Sequence, residues 1–245
     1  MTERPENGGT TRADGRKTMP VIEVRGLWKS FGDLEVLRGV DLTVQNGETM
    51  VVLGASGCGK SVLLKHVIGL LKPDRGSIVI EGREITGLES HELKELRMSY
   101  GMVFQGAALF DSMTVGENVG LPLKEHRGIA GDELADIVEK KLRMVGLAGV
   151  SQKRPSELSG GMKKRVALAR AIALDPDIIL YDEPTTGLDP IMAEQINELI
   201  RALQREVNAT SIVVTPDLHS AKFTGDKIAL MHEGRIEVVG TLEEL

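Results

Sequence analysis

Eight consecutive residues, Gly54-Ala55-Ser56-Gly57-Cys58-Gly59-Lys60-Ser61, meet the spacing G-x-x-x-x-G-K-S, and residues of these types at this spacing hold phosphate. Glycines let the main chain approach a polyanion, and the N–H groups at a helix start face its oxygens. Lys60 brings a mobile cation to the β and γ oxygens, and the Ser61 hydroxyl can ligate Mg²⁺. The binding candidates run from Gly54 through Val62, with Lys60 also a catalytic one. A second segment supplies acid: Asp177-Ile178-Ile179-Leu180-Tyr181-Asp182-Glu183 is an apolar strand ending in two carboxylates beside Pro184. At a strand's C-terminal edge, Asp182 is placed to hold Mg²⁺ through its water shell, and Glu183 to orient and partly deprotonate an attacking water. Phosphoryl transfer asks for positioning and charge more than for covalent help. The loop by itself does not choose among GTPases, kinases and ATPases. Cys58, inside it, reads either as a redox-sensitive thiol at the phosphate site or as a small residue the loop tolerates.

These residues need a scaffold, and the surrounding pattern describes one. Thr49-Met50-Val51-Val52-Leu53 is continuously apolar, as in a strand buried on both faces, and leads straight into the glycine loop. Before it, short alternating runs from Val21 and from Val40 read as strands with one wet face, and Asn46-Gly47 marks a tight turn. Ser211 to Thr215 is a further strand. Residues near 86 to 157 read as mostly helical, with Leu134, Ile137, Val138, Leu142 and Val145 on one stripe. Ile196, Leu199, Ile200 and Leu203 repeat as on a crossover helix, and Glu233-Gly234 joins two short strands as a hairpin.

Composition bounds the answer. The 245 residues, 41% hydrophobic, can bury one α/β core carrying an inserted lobe. A net charge of −6 argues against a broad nucleic-acid or anionic-membrane surface, so phosphate must be held by local N–H groups and a few cations. The single cysteine cannot close an internal disulfide, which fits a reducing compartment. No apolar run is long enough to span a bilayer, and no apolar signal core stands at the N-terminus. Residues 1–19 have almost no large apolar groups to offset their ordering entropy and are expected to form a disordered tail, with one nucleotide-binding domain over 20–245.

Leu158-Ser159-Gly160-Gly161-Met162 narrows the chemistry, because a serine-capped, glycine-rich helix start can aim N–H groups at phosphate. With this segment in place, the chain from about Val21 onward resembles an ABC nucleotide-binding domain. The resemblance implies an α/β fold: a P-loop, RecA-like parallel-sheet core, an N-terminal antiparallel β portion and an inserted α-helical subdomain. It implies ATP hydrolysis with Mg²⁺ in a homodimer, where Ser159, Gly160 and Gly161 of one copy complete the ATP site of the other. It assigns Gln105 to sensing Mg²⁺ and the membrane partner, as a metal and catalytic residue, and Gly187-Leu188-Asp189 to communication across the interface. Phe31 resembles the aromatic that stacks on adenine, and plain packing is its other reading.

The segment Val103 to Val115, followed by Glu117-Asn118-Val119, and the run S-G-G-M-K-K-R-V-A-L-A-R-A resemble the ATPases of Mla- and Mce-associated lipid-transport systems. That resemblance implies integral permease subunits, a lipid-binding subunit, and a peripheral place on the cytoplasmic face of the inner membrane. Ala107 to Met113 suits either a surface that grips a permease helix or an inward-packed segment. The chain stops at Leu245, earlier than many such relatives, which implies that a dimer-supporting extension is missing. One position departs from the family. Where its members carry a histidine that contacts the γ-phosphate and the catalytic water, this chain has Pro216, and His219 three residues on is expected to be a surface group. Depressed turnover follows as an expectation, and with it the rival reading of an ATP-binding regulatory switch that does not pump.

Overall fold

A computed structural model describes residues 20–245, so the expectation for residues 1–19 lies outside it. Two sheets form the frame. β1 (Ile22–Phe31), β2 (Leu34–Val44), β4 (Arg75–Ile80) and β5 (Arg83–Glu84) make an antiparallel sheet in the order β2-β1-β4-β5. The second has six strands, in the order β10-β9-β3-β8-β7-β6, with β3 (Thr49–Leu53), β6 (Tyr100–Val103), β7 (Ile178–Asp182), β8 (Thr210–Thr215) and β9 (Lys227–His232) parallel. β10 (Arg235–Gly240) returns antiparallel to β9 through Glu233 and Gly234, both at positive φ, as a two-residue hairpin requires.

The parallel strands are apolar on both sides because each side has its own cover. Alternation along the strand sorts the residues. Val51, Ile179, Tyr181 and Val213 face one core, shared with Val166, Leu168, Ile196 and Ile200 of α5 (Gly160–Ala171) and α6 (Pro190–Val207). Met50, Val52, Ile178, Leu180, Ile212 and Val214 face the other. That second core is closed by Leu63 and Leu64 of α1 (Lys60–Val67) and by Ile22, Leu27, Val40 and Ile78 of the antiparallel sheet.

The expected helical stretch from about 86 to 157 is interrupted. It contains α2 (Ser90–Arg97), then β6, which pairs in parallel register with β7 from Tyr100↔Ile178 to Val103↔Tyr181. Tyr100-Gly101-Met102-Val103 is too short for its period to show, and a four-residue apolar run looks the same in a strand and in a buried helix. Gly101 is required there by contact: a Cβ would stand 2.5 Å from the Ala171 carbonyl oxygen. The helical lobe proper is α3 (Val115–Arg127) and α4 (Gly131–Met144), packed on α5. Val138, Leu142 and Val145 of the expected stripe are buried, with Leu134 and Ile137 partly so. α7 (Leu218–Thr224) follows β8. Among the described residues no helix is long and apolar enough to cross a membrane.

Candidate active site

β3 runs into the loop Gly54–Gly59, and α1 starts at Lys60. Contacts demand glycine at two points of this loop. A Cβ on Gly54 would lie 2.4 Å from the Met231 carbonyl oxygen; at Gly59, where φ is 109°, it would lie 2.9 Å from the Val36 carbonyl oxygen. Gly59 offers no side-chain cap, so the first N–H groups of α1 lack intrahelical acceptors at the positive end of the helix dipole. Such a terminus receives an anion.

Lys60 is 3% exposed; its ammonium donates to the Gly54 and Ala55 carbonyl oxygens at 2.9 Å each and stands 3.5 Å from Glu183 Oε1. Ser61 Oγ donates to Asp182 Oδ1 at 2.6 Å. β8 brings these distant residues together, because it pairs with β3 on one side (Leu53↔Thr215) and with β7 on the other (Asp182↔Val214). Beyond the ladders, Gly54 N–H donates to the Thr215 carbonyl and Glu183 N–H to the Val214 carbonyl. The phosphate loop and the carboxylates are therefore fixed on either side of one strand end.

Asp182 and Glu183 are 8% and 9% exposed. Glu183 holds φ 46°, a left-handed conformation that costs a non-glycine residue about 1–3 kcal/mol. The strain is held by its N–H bond to the Val214 carbonyl and by Thr186, whose hydroxyl donates to Glu183 Oε2 at 3.1 Å. The donor set fits magnesium: a hydroxyl and a carboxylate meet at Ser61–Asp182, and among the described residues no cluster of three His, Cys, Asp or Glu could cage an ion. Mg²⁺ is held by one or two protein oxygens, with water and phosphate completing its shell.

Other expected site residues lie outside this cluster. Gln105 is exposed, and its main-chain carbonyl, not its side chain, is engaged, accepting from Lys164 Nζ. Phe31 ends β1 with its ring 47% exposed and the Lys29 ammonium 5.6 Å from the ring centroid, so it is not a core residue. Ser159 and Asp189 act as local caps, accepting from the N–H groups of Met162 at 3.3 Å and Met192 at 3.0 Å. Neither bond reaches the Gly54–Ser61 loop of the same chain. Cys58 is a partly buried free thiol whose side chain packs against the second core, and Val62, in the first turn of α1, packs there too.

Pro216 is exposed directly after β8, and His219 is exposed within α7, whose N-cap Asp217 accepts from Ser220 N–H at 2.7 Å. Ala107 to Met113 divides between its two readings. Ala107 and Leu109 pack inward, while Phe110 is 50% exposed.

Two participants escaped the sequence reading. Thr186 leaves no signal beyond standing three residues after Glu183. Lys164 left one: it lies with Gly161, Leu168 and Ala171 on a helical stripe, all buried, and a lysine on such a stripe carries a charge into the interior.

Residues 37–186 match the family model described as ABC transporter. The chain is 45% identical over 233 residues to a protein of Mycobacterium leprae named probable ribonucleotide transport ATP-binding protein mkl, covering 95% of this chain and 67% of that one. It covers 62% of the corresponding Mycobacterium tuberculosis protein, so it spans about two thirds of the length of these relatives. It is 42% identical over 225 residues to the intermembrane phospholipid transport system ATP-binding protein MlaF of Haemophilus influenzae, covering 92% of this chain and 85% of MlaF. Among solved structures, a dimeric ATP-binding cassette in a post-hydrolysis state with ADP and Pi matches with a TM-score of 0.83 and 35% identity, over 90% of this chain and 98% of that one. With phosphate loop, paired acids and serine-capped glycine helix start mounted on the scaffold of that cassette, the chain belongs to the ABC transporter family, as an ATP-binding subunit.

Proposed function

We propose that this chain is the ATP-hydrolysing motor of a transporter that moves phospholipid between membranes. It works as a homodimer, peripheral on the cytoplasmic face of the inner membrane, with integral permease subunits and a lipid-binding subunit. The observation that carries the hydrolytic reading is the contact of Ser61 Oγ with Asp182 Oδ1 at 2.6 Å beside a Lys60 ammonium 3.5 Å from Glu183. It gathers a phosphate cradle, a metal-holding pair and a base into one buried cluster.

In this reading Ser61 and Asp182 hold Mg²⁺, which when bound supplies positive charge to the β- and γ-phosphate oxygens. The N–H groups that open α1 bind the phosphates, and the Lys60 ammonium turns from Glu183 toward the γ-phosphate. Released from Lys60, Glu183 accepts a proton from the attacking water at its carboxylate, with Thr186 fixing the other oxygen. Ser159, Gly160 and Gly161 of the second copy close the site, and Phe31 offers its exposed ring to adenine.

The lipid reading is supported by the likeness to MlaF over most of both chains, and by a 42% identical Arabidopsis thaliana relative, trigalactosyldiacylglycerol 3, chloroplastic, whose name is a galactolipid. Relatives named for ribonucleotide, methionine and sulfate transport compete with it. Affinity isolation from membranes, followed by ATPase assay of the isolated complex in phospholipid nanodiscs, separates them. A lipid motor recovers an integral membrane protein and hydrolyses faster with phospholipid; stimulation by a ribonucleotide or an amino acid instead would replace the cargo.

Pro216 favours a second reading, in which ATP and Mg²⁺ bind normally while turnover is depressed and the chain acts as a switch. The residue after Thr215 follows the strand end that bonds both Gly54 and Glu183. The position corresponds to the histidine of the family pattern, and proline brings no donor there. A switch would co-purify with no integral membrane protein.

A further inference from the structure

Lys164 is a cation with no obvious reason to be buried. It sits in the second turn of α5, 6% exposed, on the stripe that packs inward. No acidic side chain forms a direct ion pair with it among the described residues. Its ammonium instead donates to the main-chain carbonyl of Gln105. A charge removed from water this far is costly unless other groups compensate. Burial pushes the Lys164 pKa below the usual lysine range, while the Asp182 and Glu183 carboxylates pull it back up. α5 makes a second attachment to the same segment. Arg170, six residues on, donates to the carbonyl oxygens of Ala107 at 2.8 Å and Ala108 at 2.6 Å, where the main chain bends through φ 62° and 47°. The helix that opens with Ser159 thus grips the loop from Gln105 to Ala108 at two points.

We propose that Lys164 is a positioning residue for hydrolysis: its buried ammonium ties the Gln105 main chain to the Ser159-capped helix. The tie makes the Gln105 segment and the serine-capped glycines move as one body, so a displacement at the exposed loop reaches the helix start that closes on ATP. This inference rests on the hydrolytic reading above and adds a residue that reading does not use.

Single-turnover hydrolysis, the ATP concentration at half-saturation and thermal midpoint are measured for the unmodified protein, Lys164→Met, Lys164→Arg and Glu183→Gln. Groups that hold a metal site's ligands in place typically contribute 10- to 100-fold in activity. Lys164→Met is expected to slow hydrolysis by about that factor at unchanged ATP half-saturation, and Lys164→Arg, which keeps a cation and a donor, to restore most of it. Unmodified rates in Lys164→Met would overturn the proposal, as would equal losses in Met and Arg variants, which would reduce Lys164 to packing. Should Lys164→Met fail to fold, Lys164→Gln, which shortens the side chain and weakens its reach to the Gln105 carbonyl, decides: a slowed rate at unchanged ATP half-saturation supports the tie, and an unmodified rate overturns it. Persisting hydrolysis in Glu183→Gln, by contrast, would sink the hydrolytic reading itself.

Discussion

Replacing Pro216 by histidine should make this protein a faster enzyme and a slightly less stable one. Thr215 precedes the position and bonds Gly54 through its carbonyl, and Val214 bonds Glu183. An imidazole at 216 therefore starts from a backbone fixed between the phosphate loop and the base. A transition-state hydrogen bond of this kind typically accounts for 10²–10³ in turnover, or about 2.7–4 kcal/mol, and the substitution should raise kcat by about 10². Stability moves the other way. Pro216 is exposed and its loss frees the unfolded chain, at a cost of about 0.4–1 kcal/mol. For a domain of this size that lowers Tm by roughly 2–4 °C per kcal/mol. Phosphate release at saturating Mg-ATP and a thermal melt test both halves. An unchanged kcat with the expected drop in Tm would show that the imidazole was in place and had no role, refuting the account of the proline.

Three other substitutions or conditions probe the site and its frame. Ser61→Ala removes the hydroxyl 2.6 Å from Asp182; the Mg²⁺ needed for half-maximal hydrolysis should rise about 10- to 100-fold, and an unshifted magnesium titration would take Ser61 out of the metal site. Gly54→Ala would drive a Cβ to 2.4 Å from the Met231 carbonyl, so denaturant melts should show a loss of about 1–3 kcal/mol; a neutral result would mean the loop has room the contacts deny. His66 is 1% exposed, and burial holds its pKa below the ordinary 6.5. The unfolded chain therefore takes up that proton first, so stability is full above pH 6.5 and declines below it. In His66→Gln that part of the acid slope should flatten, and an identical slope would exclude His66 as its source.

Motifs were legible where chemistry dictates a short, contiguous pattern. The loop Gly54–Ser61, the acids ending β7 and the capped start of α5 are each local, and each lies on the element its surroundings implied. The continuous apolarity of β3 announced a strand covered on both faces, and β7 and β8 were read as strands. β6 was not legible, because four residues show no period and only the register with Ile178–Tyr181 defines them as a strand. Of the antiparallel sheet, β1 and β2 were legible, but β4 and β5 were not, nor was the order that puts β4 against β1 across more than forty intervening residues. Lys164 was read as part of a family-like run and not as a buried charge, since its burial comes from the Gln105 carbonyl and from the inward-packed stripe of α5. Fates of single side chains such as Ala107 and Phe110 depend on packing among three helices, which spacing does not encode.

The central claim is a site shared between two copies. Glu183→Gln, which should bind Mg-ATP without consuming it, is the protein to use, with molar mass followed by light scattering as Mg-ATP is added. The account expects the mass to double from the 26.5 kDa of the chain, and expects Ser159→Asp in that background to abolish the doubling while one copy still binds nucleotide. Aspartate keeps the cap at α5 and sets a negative charge against the partner's triphosphate. A single copy that saturates with Mg-ATP and stays at its own mass, or a dimer indifferent to Ser159→Asp, would contradict the shared site.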